Sequence, residues 1–418
     1  MFYFVAMILN QKKAMANQPQ PTVRQYAEPK FIPLQPGQIS TGEANEYDAY
    51  TNQSILQPIP PPRAGASLIM NLADVIGQDA SDAIQQAGML VFHSVGDTGS
   101  DKKYRVVDEA DVSKMMVQDL FLKPASSFFY HLGDVVYEFG QPQDYYAQFY
   151  EPFCAYNAPI FAIPGNHDGM IWDPSMTSLQ AFQNNFCTAA PAPAPNAAGL
   201  IRSTMNQPGV YFTLEAPFVS IIGLYSNVSD KGPGCISSEG GKNNLTDDQK
   251  NFLIAELKRL MPLRTANQRA VIVAVHHPPF TSNNEKNPMN DDLDDAFNKG
   301  GLWPDVVLSG HAHLYERYER DINGIKMPYI VAGCGGYNLS PYEPASNPGK
   351  LVPPALAGNT ALRAYIKSFG YLKIKVTSNK LAIIFNCIDP AYGPASDSIL
   401  IDLATHVVTE GISGREPL

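Results

Sequence analysis

The chain has 418 residues, 44% of them hydrophobic, enough to bury a large core, and 30 basic against 40 acidic side chains leave a net charge of −10. That acidic balance, with no basic stripe to offset it, argues against nucleic acid as a partner. No run of residues reaches the length of a membrane span, and five cysteines (Cys154, Cys187, Cys235, Cys334 and Cys387), few and odd in number, declare no disulfide framework and leave a single bridge open.

Residues 1–66 are rich in Pro, Gln and Asn, including Pro58-Ile59-Pro60-Pro61-Pro62, and read as an N-terminal arm. Residues 67–418 read as a single catalytic domain. Met1–Leu9 is apolar but too short to span a membrane and has no basic residue ahead of it, so localisation is left open, with Met15 as an alternative start. Short apolar, often β-branched runs then predict buried strands at Met89–Ser94, Phe128–Leu132, Ile160–Ile163, Ala270–Val275 and Val306–Leu308. Paired strands are predicted at Tyr211–Leu214 with Val219–Leu224, and at Tyr371–Val376 with Leu381–Asn386 around a Ser378-Asn379 turn. Thr246-Asp247-Asp248-Gln249 carries a capping-box pattern opening a helix to about Leu260, with Leu253, Leu257 and Leu260 on one face. Two long Pro-rich loops, Thr188–Gly199 and Tyr337–Asn359, are where specificity would reside.

Each of the five single strands is followed at once by polar residues. The segments are Gly96-Asp97-Thr98-Gly99, Gly133-Asp134-Val135-Val136-Tyr137, Gly165-Asn166-His167-Asp168, His276-His277-Pro278, and Ser309-Gly310-His311-Ala312-His313-Leu314-Tyr315-Glu316-Arg317. One Gly-Asp pair alone marks a turn, and one histidine beside an apolar strand is usually a satisfied core residue. Together, however, Asp97, Asp134, Tyr137, Asn166, His276, His311 and His313 supply seven oxygen and nitrogen donors able to hold two metal ions, and a bridged metal pair points to phosphoester hydrolysis. The glycines let the backbone approach an ion or phosphate closely. His93 and His131 lie inside strands and read as hydrogen-bonded structural residues, and His406 has no motif around it.

The order and wording of these motifs resemble the calcineurin-like metallophosphoesterases and, within them, the purple acid phosphatases. Where most relatives read D-x-H, this chain has Asp97-Thr98-Gly99. Tyr137, three residues after Asp134, matches the tyrosine that binds ferric iron in the purple enzymes. The resemblance implies an α/β fold, a four-layer sandwich of two mixed β-sheets flanked by helices. It implies Fe(III) held by Asp97, Asp134, Tyr137 and His313, and a divalent ion (Zn, Fe or Mn) held by Asp134, Asn166, His276 and His311, with Asp134 as bridge. Hard anionic donors on the first site and imidazole with a neutral amide on the second agree with that division.

The implied reaction is attack on a small phosphate monoester by metal-activated hydroxide, with no covalent enzyme intermediate. His167 is the candidate general acid, Asp168 its orienting partner or, alternatively, a cap that stabilises the turn, and Glu285 a further candidate in the loop after the H-x-P segment. His277 is expected to face elsewhere, supporting the ligands from behind or belonging to the loop. A phosphodiesterase acting on nucleotides or phospholipid headgroups and a non-catalytic scaffold are the competing readings. Gly99 and Tyr137 favour the phosphomonoesterase, and the presence of all seven donors with His167 argues against the scaffold.

Overall fold

The computed structural model describes residues 58–100, 106–170, 177–226, 234–238, 246–266, 269–282, 289–337, 339–340, 355–356, 359–389 and 396–411. Among them are the strands β1 (Ile69–Asn71), β2 (Leu90–Val95), β3 (Phe129–His131), β4 (Ile160–Ala162), β5 (Phe212–Ala216), β6 (Val219–Leu224), β7 (Ala270–Val275) and β8 (Val306–Ser309). The remainder are β9 (Tyr315–Ile322), β10 (Ile325–Ala332), β11 (Ala355–Leu356), β12 (Thr360–Ile366), β13 (Gly370–Val376), β14 (Lys380–Cys387), β15 (Asp397–Asp402) and β16 (Val408–Glu410). They form a nine-stranded sheet, β1-β5-β6-β7-β8-β10-β9-β12-β11, and a seven-stranded sheet, β16-β15-β14-β13-β2-β3-β4. Both are mixed: β2, β3 and β4 run parallel while β13 pairs antiparallel with β2, and β6, β7, β8 and β10 run parallel beside the antiparallel β9.

Alternation along the strands builds the layers. Leu90 and Phe92 of β2 and Tyr130 of β3 face inward, where they meet Phe212, Leu214, Ile221, Ile272, Leu308 and Ile330 of the other sheet in one buried cluster. The outward residues Val95 and Phe129 pack under helix α1 (Val106–Asp119) through Val112 and Met116. On the far side, Ile222, Val271, Val273 and Val275 are covered by α2 (Asp248–Thr265) and α3 (Met289–Gly300) through Leu253, Leu257, Leu260, Leu293 and Phe297. The order is helix, sheet, sheet, helix. No helix among the described residues is long and apolar enough to cross a membrane. Of the arm, Arg63 donates to the carbonyls of Gln207 and Asn206. All five cysteines are free thiols.

Helix α2 departs from its predicted form at both ends. The capping box does not form, because the amide of Gln249 is spent on the backbone N–H and carbonyl of Tyr225, both at 2.7 Å. The helix also continues past Leu260 through Pro262 to Thr265, and Arg264 ties its last turn to Asp305 with contacts of 2.7–3.1 Å. A buried ion pair holds the turn that proline would otherwise weaken.

The two strand histidines are bound structurally. Tyr156 lies 3.0 Å from His93 Nδ1, with Ser126 at 2.8 Å and Asp119 at 3.3 Å from Nε2. His131 Nδ1 accepts from the Gly133 N–H (3.1 Å), so its Nε2–H donates to Thr98 Oγ1 (2.9 Å). Burial pushes the His131 imidazole down to about 3. The unfolded chain therefore takes up this proton near pH 6.5 while the folded one resists it, and stability is expected to fall between those values by about 1.4 kcal/mol per pH unit. Unfolding of His131→Gln followed against pH should show a shallower acid slope than wild type; equal slopes would remove His131 as the cause.

Candidate metal centre

Five strand ends from the two sheets converge. β2 delivers Asp97, β3 delivers Asp134 and Tyr137, β4 delivers Asn166 and His167, β7 delivers His276 and β8 delivers His311 and His313, in keeping with ligand sites at the carboxyl ends of α/β strands. Three of these residues leave their strands in the left-handed region: Asp97 at φ 58°, Asp134 at 54° and His311 at 66°. Such conformations cost a non-glycine residue about 1–3 kcal/mol each and persist where surrounding structure enforces them, commonly at functional sites. Here the enforcing bonds are visible. The His311 N–H donates to Asp97 Oδ2 (2.9 Å), and the His167 N–H donates to Asp134 Oδ1 (2.9 Å).

The seven donors fall into two groups that share Asp134. The Tyr137 hydroxyl lies 3.0 Å from Asp97 Oδ1, 3.0 Å from Asp134 Oδ2 and 3.2 Å from His313 Nε2, while His313 Nε2 is 3.3 Å from Asp97 Oδ1. On the other side, Asn166 Oδ1 lies 3.1 Å from His276 Nε2 and 3.0 Å from His311 Nδ1, and His276 Nε2 is 3.2 Å from Asp134 Oδ2. Asp134, His276 and His311 satisfy the proximity expected of a cation site on their own. Ligands bound at about 2.0–2.2 Å to one ion lie about 3 Å from each other, so this donor set fits metal ions. The His276 Nδ1–H donates to the Leu132 carbonyl (2.8 Å), which turns the Nε2 lone pair toward the site.

Electrostatics favour a cation in the same place. Burial opposes charge on His276, yet the carboxylates of Asp134 and Asp97 raise it to about 9. Tyr137 is buried, and burial together with the same two carboxylates holds its phenol protonated well above the usual range. A phenolate there requires added positive charge. Close packing does the rest. A Cβ at Gly99 would stand 2.6 Å from the Val135 carbonyl oxygen and 2.7 Å from Gln148 Oε1, so the position that carries a histidine in the D-x-H pattern admits no side chain; one at Gly165 would run into the Asp134 carboxylate.

The remaining predicted residues divide. His167 is 5% exposed beside Tyr137, ring centroids 4.3 Å apart, but its partner is not Asp168. The His167 Nδ1–H donates to the Glu138 carbonyl (2.6 Å). Asp168 instead accepts from the backbone N–H groups of Gly165 (2.9 Å), Val135 (3.1 Å) and Val136 (3.3 Å), pinning the β3 and β4 loops together; a carboxylate whose two oxygens take four contacts from three N–H groups has no lone pair left to orient an imidazole. His277 faces the Ser226 hydroxyl (2.7 Å from Nδ1) and packs on His311, ring centroids 4.1 Å apart, so it supports a donor from behind. Glu285 lies outside the described residues.

Sequence reasoning passed over Tyr337. It stacks on Tyr137 with centroids 3.6 Å apart and planes 2° from parallel, although Gly333-Cys334-Gly335-Gly336-Tyr337 follows β10 with the same strand-then-glycine grammar as the other motifs.

The model of the calcineurin-like phosphoesterase family matches residues 91–315, which takes in every described residue of the donor set. Purple acid phosphatase 15 of Arabidopsis thaliana is 25% identical over 233 residues, covering 52% of this chain and 37% of that protein, so the chain spans well under two thirds of this curated relative. Among solved structures, GAP50, the anchor in the inner membrane complex of Plasmodium, aligns with a TM-score of 0.51 at 14% identity over 74% of this chain and 87% of that one, a likeness of fold. Purple acid phosphatase PPD1 from yellow lupin (Lupinus luteus) seeds aligns with a TM-score of 0.49 at 15% identity, over 75% of this chain and 54% of that one. With the family model covering more than half of its length and the fold and strand-end site in agreement, the chain belongs to the calcineurin-like phosphoesterase family, with purple acid phosphatases among its relatives.

Proposed function

We propose that the chain hydrolyses phosphate monoesters at a dinuclear centre of the purple acid phosphatase type. Asp97, Tyr137 and His313 would hold ferric iron, Asn166, His276 and His311 a divalent ion, and Asp134 both. The observation that carries this reading is the Tyr137 hydroxyl, placed 3.0–3.2 Å from Asp97, Asp134 and His313 beside a Gly99 that leaves no room for histidine. When bound, such a metal pair polarises the phosphate and lowers the pKa of water. The chain's own residues supply the rest. The Glu138 carbonyl binds His167 Nδ1–H and so leaves Nε2 as the nitrogen that exchanges a proton with the leaving-group oxygen. Asp168, through its backbone contacts, keeps the loops of Asp134 and Asn166 in register.

Two measurements test this. Protein purified aerobically is expected to contain iron and to absorb visible light by tyrosinate-to-iron charge transfer, and Tyr137→Phe should lose the band and keep the fold. A colourless, zinc-only wild type with full activity would defeat the iron assignment. A panel of monoesters and diesters should show monoesters turned over faster; a clear preference for nucleotide or phospholipid-headgroup diesters would replace this reading with phosphodiesterase activity.

A further inference from the structure

Tyr337 touches the site from a loop two hundred residues after Tyr137 in sequence, and it is held from three directions. Its N–H donates to the Asp97 carbonyl (3.0 Å), two residues along from the Gly335 N–H that donates to the Gly96 carbonyl (3.0 Å). Its hydroxyl donates to Glu138 Oε1 (2.7 Å), on the same residue whose carbonyl receives His167 Nδ1–H. Its ring lies flat on Tyr137 at 3.6 Å and meets the His313 ring nearly edge-on, 5.2 Å away and 81° inclined. The His167 ring also touches Tyr137 (4.3 Å), but at its edge and 6.4 Å from Tyr337, so Tyr337 is the ring that lies on the face of the phenol. Aromatic pairs ordinarily avoid so parallel and close a sandwich, because the negative faces of the two rings repel. The tethers of Tyr337 at Asp97 and Glu138 maintain it.

We propose that Tyr337 is a positioning residue for the iron-binding phenol: stacked on Tyr137 and anchored to Glu138, it fixes the plane of that ring and raises the energy of the electrons that Tyr137 gives to iron. The inference rests on the assignment of Tyr137 as an iron ligand. Its physical content is twofold. Loss of the ring frees Tyr137 to tilt, which weakens iron binding, and it removes the facing electron density, which lowers the donor level and moves charge-transfer absorption to shorter wavelength.

The test uses the full chain loaded with iron, as wild type, Tyr337→Leu and Tyr337→Phe. Tyr337→Leu is expected to shift the visible maximum to shorter wavelength and to lower iron affinity by about 10–100-fold, the usual effect of removing a residue that supports a metal ligand. Retention of the divalent ion should be unchanged. Tyr337→Phe keeps the ring and its volume and loses only the hydroxyl anchor, so it should fold even where the leucine variant does not and should move the maximum the same way by less. Maxima and iron affinity equal to wild type in the folded variants would overturn the role of Tyr337 while leaving the iron assignment standing. A wild type that binds iron without any visible band would overturn the assignment of Tyr137, and this inference with it.

Discussion

Asp134→Asn is expected to lose both metal ions together, and with them turnover. The side chain is fully buried, with Oδ2 3.0 Å from the Tyr137 hydroxyl and 3.2 Å from His276 Nε2, so one oxygen faces a donor from each half of the centre. Oδ1 accepts the His167 N–H. An amide must keep its oxygen on that N–H, which turns its NH₂ toward Tyr137 and His276. A charge that would balance two cations is then replaced by donors aimed at them. Activity should fall by roughly 10³-fold or more, because several kcal/mol of charge stabilisation goes with the ions. The measurement is metal stoichiometry after dialysis, alongside the rise in unfolding temperature on adding metal, which should be clear in wild type and small in the variant. Two tightly retained ions would show that Asp134 does not bridge.

His167→Ala separates metal binding from proton transfer. His167 sits next to Asn166 but outside the donor set, its ring fixed by Glu138 and packed on Tyr137. The variant should therefore keep both ions and lose about 10²–10⁴-fold in turnover, the scale of removing a general acid. The loss should depend on the leaving group. An alkyl phosphate releases an alkoxide that needs a proton, and should suffer far more than an aryl phosphate, whose phenolate leaves with little help. Equal losses on both would assign His167 to binding phosphate and move the search for the acid to Glu285. Loss of the metals would mean that the assignment of Asn166 is wrong.

What was legible in the chain follows a local rule. A strand of apolar, β-branched residues closed by glycine or directly by a polar donor states both an element and its end, so the expected Ala270–Val275, closed by His276, has the observed bounds and the other four strands agree to within one residue at either end. Leu253, Leu257 and Leu260 were legible as a buried helix face for a similar reason, since spacing of three and four residues is set within the helix itself. The end of that helix was not. Whether Pro262 breaks it depends on Asp305, which meets Arg264 only after β7 and β8 have paired.

Which donors exist, on which strand ends they stand, and the glycine beside those of β2, β3, β4 and β8 are legible along the chain, because these are properties of neighbours in sequence. Packing between loops settled who meets whom. It gave His167 to the Glu138 carbonyl and Asp168 to three backbone N–H groups, closed the space at Gly99 with Val135 and Gln148, and laid Tyr337 on Tyr137. Most of these contacts join loops that meet only when strands pair and the two sheets pack, as where the loop after β10 of one sheet lays Tyr337 on Tyr137 after β3 of the other. Sheet order is chosen by the burial of whole faces, which single motifs do not encode.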